Sequence, residues 1–224
     1  MNIPQIKDEL SKFLQILRGL KRNEERIFVV DDELGLGLLK LFYLNHLLKQ
    51  GYLITIESKI KDKFLPLDLE KELPEIPNIS PAFTFIFGEL SDNIKEHAHT
   101  NEAYFFYNQI DNEEILGVFD AGISIPLRYK EALFDFKEPK EAIKMALEGI
   151  STKTKEERGY GLRSIVKIVK SLNGKVLIIS GEAIGFIDEN NFVFDNLEFF
   201  WIGTSVIINA SKPSKDFNFL ELIK

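Results

Sequence analysis

Two kinds of hydrophobic pattern alternate over the first 60 residues of the chain. Apolar residues recur at helical spacing over 4–20 and again over 34–48, where the second run ends at Gly51. Two short and almost wholly apolar segments, 27–30 and 52–56, have the length of buried strands. A strand, a helix and a strand within about 30 residues predict a βαβ unit with parallel strands.

A change of composition after this unit predicts a domain boundary. Residues 61–80 are charged and contain Pro66, Pro74 and Pro77, which is typical of an exposed linker. The sequence therefore predicts an N-terminal helix plus a βαβ unit at 1–60, this linker, a larger domain at 81–212 and a tail at 213–224.

Helical and strand-like patterns interleave in the larger domain. Helices are predicted at 81–98, 138–148 and 160–172, and strands at 103–109, 114–120, 175–180, 183–187, 191–195 and 203–209. A polar loop separates the last two helices at 150–158. Helices among mostly antiparallel hairpins predict an α/β fold of the α+β kind, with the helices and the sheet packed as a two-layer sandwich.

Composition and charge exclude several classes of function. The chain has no cysteine, which excludes disulfides, thiolate metal sites and a cysteine nucleophile, and its three histidines make a histidine zinc site unlikely to form. A net charge of −7 argues against binding to nucleic acid or to an anionic membrane. No apolar run approaches the ~20 residues of a membrane span, and acidic residues stand where a signal peptide needs an apolar core. We expect a cytoplasmic protein.

The first segment with candidate chemistry lies on the predicted helix 81–98. Glu89 and Asn93 are four residues apart, so they lie on one face at the edge of the apolar arc. A carboxylate and an amide placed in this way could hold a divalent cation and orient a water molecule. An amphipathic helix with polar residues at its boundary explains the same spacing, and for this helix alone it is the better explanation.

The second segment is the end of the strand 114–120. Asp120 ends an apolar run, and Gly122 permits an unusual backbone turn directly after it. An aspartate in this position can accept a hydrogen bond from an exocyclic amine in a pocket. An ordinary turn at the end of a strand is the alternative.

The third segment joins the polar loop to the helix 160–172. Gly159 and Gly161 would let a phosphate approach the backbone at the start of that helix, where free N–H groups and a partial positive charge favour anions. Three basic side chains of the loop could add charge to a polyphosphate clamp: Lys153, Lys155 and Arg158. A solvated loop is an equally good explanation of the charges.

Together the three segments resemble the GHKL ATPase superfamily, which groups DNA gyrase, chaperone ATPases, histidine kinases and MutL. Residues 89–93 with His97 and Ala98 resemble its N-box, 120–126 its first glycine box and 158–162 its second. Residues 203–206 resemble the late strand motif of the superfamily. The resemblance therefore covers about residues 81–209, with the motifs in the expected order. It implies the Bergerat ATP-binding fold and the cofactors ATP and Mg²⁺.

The resemblance also implies roles for individual residues. Asn93 would coordinate magnesium, and Glu89 would be the general base or the group that orients water. Asp120 would bind the adenine amino group with help from Thr204, and Gly122 would shape the adenine pocket.

At the phosphates, the resemblance implies contacts from Gly159, Gly161 and Leu162 beneath a lid at 150–158. Arg158 resembles an arginine of the anti-sigma serine kinases, for which a contact to the γ-phosphate is expected. Lys153 is a further candidate for phosphate binding because its side chain is positively charged.

Two features depart from the family pattern, and the N-terminal unit departs from the pattern of another family. Ser124 stands at the second glycine of the first glycine box, which puts the role of that position in doubt. His46 is predicted to be a core or interface residue, and His97 a packed one, so the chain is not expected to be a complete autophosphorylating histidine kinase. The N-terminal unit loosely resembles part of a STAS domain, but it has Asp31, Asp32 and Glu33 where such domains carry a phosphorylatable hydroxyl.

Two functions stay open at this point. The first is an ATPase or a protein kinase that acts in trans on a protein partner in a signalling system, where the partner is STAS-like, sigma-factor-like or another regulator. The second is a non-catalytic, anti-sigma-like module in which ATP gates the binding of a protein. A homodimer is left open, and the identity of the partner is not predicted.

Overall fold

The computed structural model describes residues 2–30, 34–150, 161–214 and 216–223. The protein is mixed α/β, with a parallel sheet of two strands and an antiparallel sheet of five. It divides into two compact units, Met1–Leu65 and Pro66–Lys224.

The first unit consists of α1 (Ile3–Arg18), β1 (Arg26–Val29), α2 (Leu34–Lys49) and β2 (Ile54–Glu57). The side chain of Asn2 accepts a hydrogen bond from the backbone N–H of Gln5, which caps the start of α1. β1 and β2 pair in parallel on either side of α2 in sequence, as the βαβ pattern predicts.

The prediction that both strands of this unit are buried is wrong. Ile27 and Val29 are 63% and 68% exposed, whereas Phe28 between them is half-buried and meets the ring of Phe13 edge to face at 6.4 Å. Side chains alternate across a strand, so α1 covers only one face of β1. An apolar run does not reveal which of its faces is covered.

The second unit is built on the five-stranded sheet, whose order is β3-β4-β5-β7-β6. Its strands are β3 (Phe64–Pro66), β4 (Ala103–Ile110), β5 (Glu113–Asp120), β6 (Lys175–Ile187) and β7 (Phe192–Ser211). Its helices are α3 (Pro81–Asn93), α4 (Ile125–Glu131), α5 (Pro139–Leu147), α6 (Gly161–Ser171) and α7 (Leu220–Ile223). The border between the two units falls inside β3.

One hydrophobic core joins the helices of this unit to alternate positions of its strands. Buried residues on α3, α5 and α6 pack with strand residues two apart, such as Leu116 with Val118 and Val206 with Ile208. The spacing of two means that a single face of the sheet meets the helices. The ends of β5 and β7 and the starts of α4 and α6 are therefore held by one common core.

Four segments differ from the sequence predictions. Residues 61–80 contain a short 3-10 helix (Lys61–Lys63) and β3, and Leu67 is buried in the core because apolar residues stand between the prolines. The tail includes α7, whose Ile223 is also a core residue. Residues 175–187 and 192–211 are two long strands rather than four short ones, with an irregular pairing after Ser180. The helix α4 was not predicted.

Candidate functional site

A cavity lies within the second unit and encloses about 1030 Å³ of empty space, part of it open to solvent. Its wall contains residues that are far apart in the sequence: Asn93 and Asp120 at the ends of α3 and β5, Gly161 and Leu162 at the start of α6, and Thr204 within β7. All five are candidate site residues from the sequence. The remaining wall is largely apolar, as in most pockets for small molecules.

Asp120 ends β5 and lies directly opposite Thr204 of β7. Its side chain is almost fully buried, with 4% of the residue exposed, and its Oδ1 accepts a hydrogen bond of 2.9 Å from the backbone N–H of Gly122. Burial raises the pKa of Asp120 to about 7, while the backbone N–H groups of Gly122 and Thr204 act in the opposite direction. A buried carboxylate with an elevated pKa in a pocket is a candidate for ligand recognition.

Two glycines are required for the close packing around Asp120. A Cβ on Gly122 would stand 2.0 Å from the carbonyl oxygen of Ala98, at the end of a π-helical turn (Ile94–Ala98) that follows α3. A Cβ on Gly203 would stand 2.0 Å from the carbonyl oxygen of Asp120, and Gly203 also has a φ of +58°. Neither position can accept a side chain without movement of the backbone.

The structure gives Ser124 a definite role. It is the N-cap of α4, with a φ of −70°, and its side chain accepts a hydrogen bond from the backbone N–H of Leu127. A serine is favoured over glycine in such a cap, and its backbone does not need the freedom of glycine. Ser124 followed by Pro126 is a helix-start signal, which could have predicted α4 from the sequence.

Ser180, in β6, was not identified from the sequence. It is fully buried behind the cavity wall, and its Oγ lies 2.7 Å from the backbone nitrogen of Ile125. The same oxygen lies 3.2 Å from the carbonyl oxygen of Gly203 and 2.8 Å from Oγ1 of Thr204. This one hydroxyl therefore links β6, β7 and the start of α4.

The opposite side of the cavity is formed by the end of α3 and the start of α6. Asn93, Gly161 and Leu162 line it, whereas Glu89 is not one of the lining residues and contacts the wall at Gly161. The Oε2 of Glu89 accepts a hydrogen bond of 2.9 Å from the backbone N–H of Gly161, the first residue of α6. A carboxylate is favoured at a helix start because the helix dipole is positive there.

Three further residues of the cavity wall were missed or assigned otherwise. His97, predicted to be a packed residue, lines the cavity. Arg128 of α4 lines it too, and its Nε is buried without a hydrogen-bond partner among the described residues. Tyr129 follows it and donates its hydroxyl hydrogen to the carbonyl oxygen of Ile150. Arg128 and Tyr129 belong to the helix that was not predicted, which is why they were missed.

Some candidate residues lie outside the described residues: Lys153, Lys155, Arg158 and Gly159, together with 31–33 of the first unit. Within the described residues, no group of three or more acidic or histidine side chains is arranged to hold a metal ion. His46, on α2, meets the ring of Tyr43 edge to face at 6.4 Å.

Comparison of the chain with protein-family models found no match, and comparison with curated proteins found none either. In the parts of the chain that the structure describes, no helix combines the length and the apolar character that a membrane span requires.

Proposed function

We propose that the cavity of the second unit binds an adenine nucleotide with magnesium, in the manner of the histidine-kinase-like ATPases, and that this unit has the Bergerat fold. The observation that carries the proposal is the shared cavity wall. Asn93, Asp120, Gly161 and Thr204 come from four separate segments that resemble the four family motifs, and all of them line one cavity.

The purine ring would bind at the purine end of the cavity, by which we mean Asp120 and Thr204 of the wall together with the residues packed around them, Gly122, Ser180 and Gly203. A buried carboxylate there has two backbone N–H partners and can accept a further hydrogen bond from an exocyclic amine. Apolar neighbours such as Val118, Ile123 and Val206 would pack against the ring.

The triphosphate would bind at the phosphate end, which consists of Glu89, Asn93, Gly161 and Leu162. α6 is 11 residues long, and its first N–H groups and positive dipole end favour anions. The amide oxygen of Asn93 suits magnesium, which in nucleotide sites takes one or two protein ligands and otherwise phosphate and water oxygens. Bound there, the ion would neutralise phosphate charge.

Glu89 would take part in hydrolysis, or in transfer of the γ-phosphate to a protein partner. Its carboxylate accepts a hydrogen bond from the backbone N–H of Gly161. An incoming phosphate would compete for that N–H and release Glu89, which could then orient a water or the accepting hydroxyl and take up its proton.

The contact between Glu89 and Gly161 also favours a second candidate function. If Glu89 keeps this bond when nucleotide binds, it stabilises the start of α6 and takes no part in chemistry. The protein would then be a non-catalytic module in which ATP controls the binding of a partner.

Calorimetry of ATP binding and an assay of phosphate release test both candidates. We expect the wild-type protein to bind Mg-ATP and to release phosphate, and Glu89→Gln to bind within a few-fold while release is lost. The exposed Asp92→Asn, one turn along α3, is the matched control and should change neither quantity.

The measurements of ATP binding and phosphate release distinguish the two candidate functions. Binding without release by the wild-type protein, unchanged in Glu89→Gln, would favour the non-catalytic module. The absence of nucleotide binding would refute both.

A further inference from the structure

The hydroxyl of Ser180 makes three contacts although it has a single hydrogen to donate. The backbone N–H of Ile125 can only donate, so at 2.7 Å it takes one lone pair of the Ser180 oxygen. The carbonyl oxygen of Gly203 can only accept, so the hydrogen of Ser180 points to it over 3.2 Å. With the hydrogen of Ser180 assigned to Gly203, the third contact, to Oγ1 of Thr204, is assigned as one in which Ser180 accepts.

This count fixes the direction of the hydroxyl of Thr204. Its only hydrogen is donated to Ser180 over 2.8 Å, and lone pairs are all that Oγ1 can offer to the cavity that Thr204 lines. Thr204 lies opposite Asp120 in the sheet, and the backbone N–H groups of Gly122 and Thr204 are already bonded to the carboxylate. The side chains at the purine end thus present acceptors to a ligand.

We propose that Ser180 is a positioning residue that makes Thr204 an obligate acceptor and thereby selects purines with an amino group rather than an oxo group at position 6. A 6-amino group has two hydrogens to donate to such a surface. A 6-oxo group would bring its own lone pairs against those of Asp120 and Thr204 and leave them unpaired. The inference rests on the proposed function, because it requires a purine in this cavity.

The experiment compares the dissociation constants of ATP and ITP, which differ at position 6 of the ring, by calorimetry at pH 8, where the carboxyl group of Asp120, with its pKa of about 7, is ionised. For the wild-type protein we expect ATP to bind about 100-fold more tightly than ITP, since unpaired polar groups are costly in a buried site. Ser180→Ala leaves the hydroxyl of Thr204 free to turn and to donate to the 6-oxo group. We expect ITP to bind about tenfold more tightly to this variant, with ATP nearly unchanged.

A double-mutant cycle tests whether Ser180 acts through Thr204. Thr204→Val removes the hydroxyl and should also reduce the preference for ATP. In the Thr204→Val background, Ser180→Ala should then have no further effect on the ratio of the two constants. Ser91→Ala is the matched control, because Ser91 is equally buried but, among the described residues, its side chain bonds to the carbonyl oxygen of Phe87 in its own helix and to no cavity residue.

Damage to the fold would weaken the binding of both nucleotides and would strengthen the binding of neither. An unchanged ATP-to-ITP ratio in Ser180→Ala would therefore overturn the inference, as would an equal loss of both ligands or an undiminished effect in the Thr204→Val background. If Ser180→Ala does not unfold cooperatively, Ser180→Cys, which keeps the size of the side chain and is a weak acceptor, is judged by the same criteria. If ATP binds but the ATP-to-ITP ratio does not change in Ser180→Ala, the inference fails and the proposed function stands. If the wild-type protein binds neither nucleotide, the inference and the proposed function are both refuted.

Discussion

The purine end and the phosphate end of the cavity are built in different ways. At the purine end, Asp120, Gly122 and Gly203 are in contact through backbone groups, and Ser180 holds the hydroxyl of Thr204. At the phosphate end, one hydrogen bond joins Glu89 to Gly161, and the helix start would attract any anion. Under the proposed function, the closely packed purine end would decide which ligand binds, and the single exchangeable hydrogen bond would lie at the end where the phosphates bind.

The largest effect should come from removing the charge at the purine end with Asp120→Asn. Because burial raises the pKa of Asp120 from 3.8 to about 7, the folded protein binds more protons than the unfolded chain between these values. Stability should therefore fall as the pH rises from about 4 to 7 and then level off, by at most ~4 kcal/mol at 1.36 kcal/mol per unit. Asp120→Asn should abolish this dependence and raise the free energy of unfolding at pH 8, measured by urea denaturation.

The same group makes ligand binding depend on pH in the opposite sense. The ionised carboxylate accepts a hydrogen bond from the ligand much more strongly than the protonated carboxyl group does, so the affinity for adenosine should increase from pH 6 to pH 8. About a tenfold change is expected, because each pH unit below the pKa lowers the ionised fraction by that factor. Adenosine is used because its ring does not titrate in this range. Equal affinities at both pH values would contradict the assignment of Asp120 to the amino group.

The next largest effect should follow from Gly122→Ala, which breaks the packing at the purine end. The new Cβ would stand 2.0 Å from the carbonyl oxygen of Ala98, so one of two backbone segments must move. We expect a loss of about 3 kcal/mol in the free energy of unfolding and loss of ATP binding. Gly88→Ala in α3, whose Cβ would meet nothing within 4 Å, is the control and should stabilise the protein by about 0.5 kcal/mol. Equal stability of the two variants would show that the purine end is not tightly packed.

A smaller effect should follow from Arg128→Gln, which extends the comparison to the cavity wall between the two ends. The guanidinium has a buried Nε without a partner among the described residues, so it can donate to an anionic ligand. We expect ATP to bind about tenfold more weakly, the range of one charged hydrogen bond. The exposed Arg163→Gln in α6 should have no comparable effect, and identical affinities for the two variants would exclude Arg128 from binding.

The sequence was informative where a residue type and its neighbours along the chain define a motif. Asp120, Asn93 and Thr204, which line the cavity, were singled out in this way. The antiparallel strands that carry Asp120 and Thr204 were also predicted. Ser180 was not found because its role depends on contacts between three elements. Arg128 was not found because it belongs to α4, whose N-cap Ser124 was interpreted as a substituted glycine of a glycine box. The exposure of Ile27 and Val29 was missed because an apolar run looks the same with one covered face as with two.

The account is tested most directly by a crystal structure of the protein with a non-hydrolysable ATP analogue and magnesium. We predict that the 6-amino group lies within hydrogen-bond distance of the carboxylate of Asp120, and that a phosphate oxygen lies at the N–H of Gly161 in place of Glu89. A purine bound elsewhere, or an analogue whose phosphates lie beside Asp120, would contradict the account.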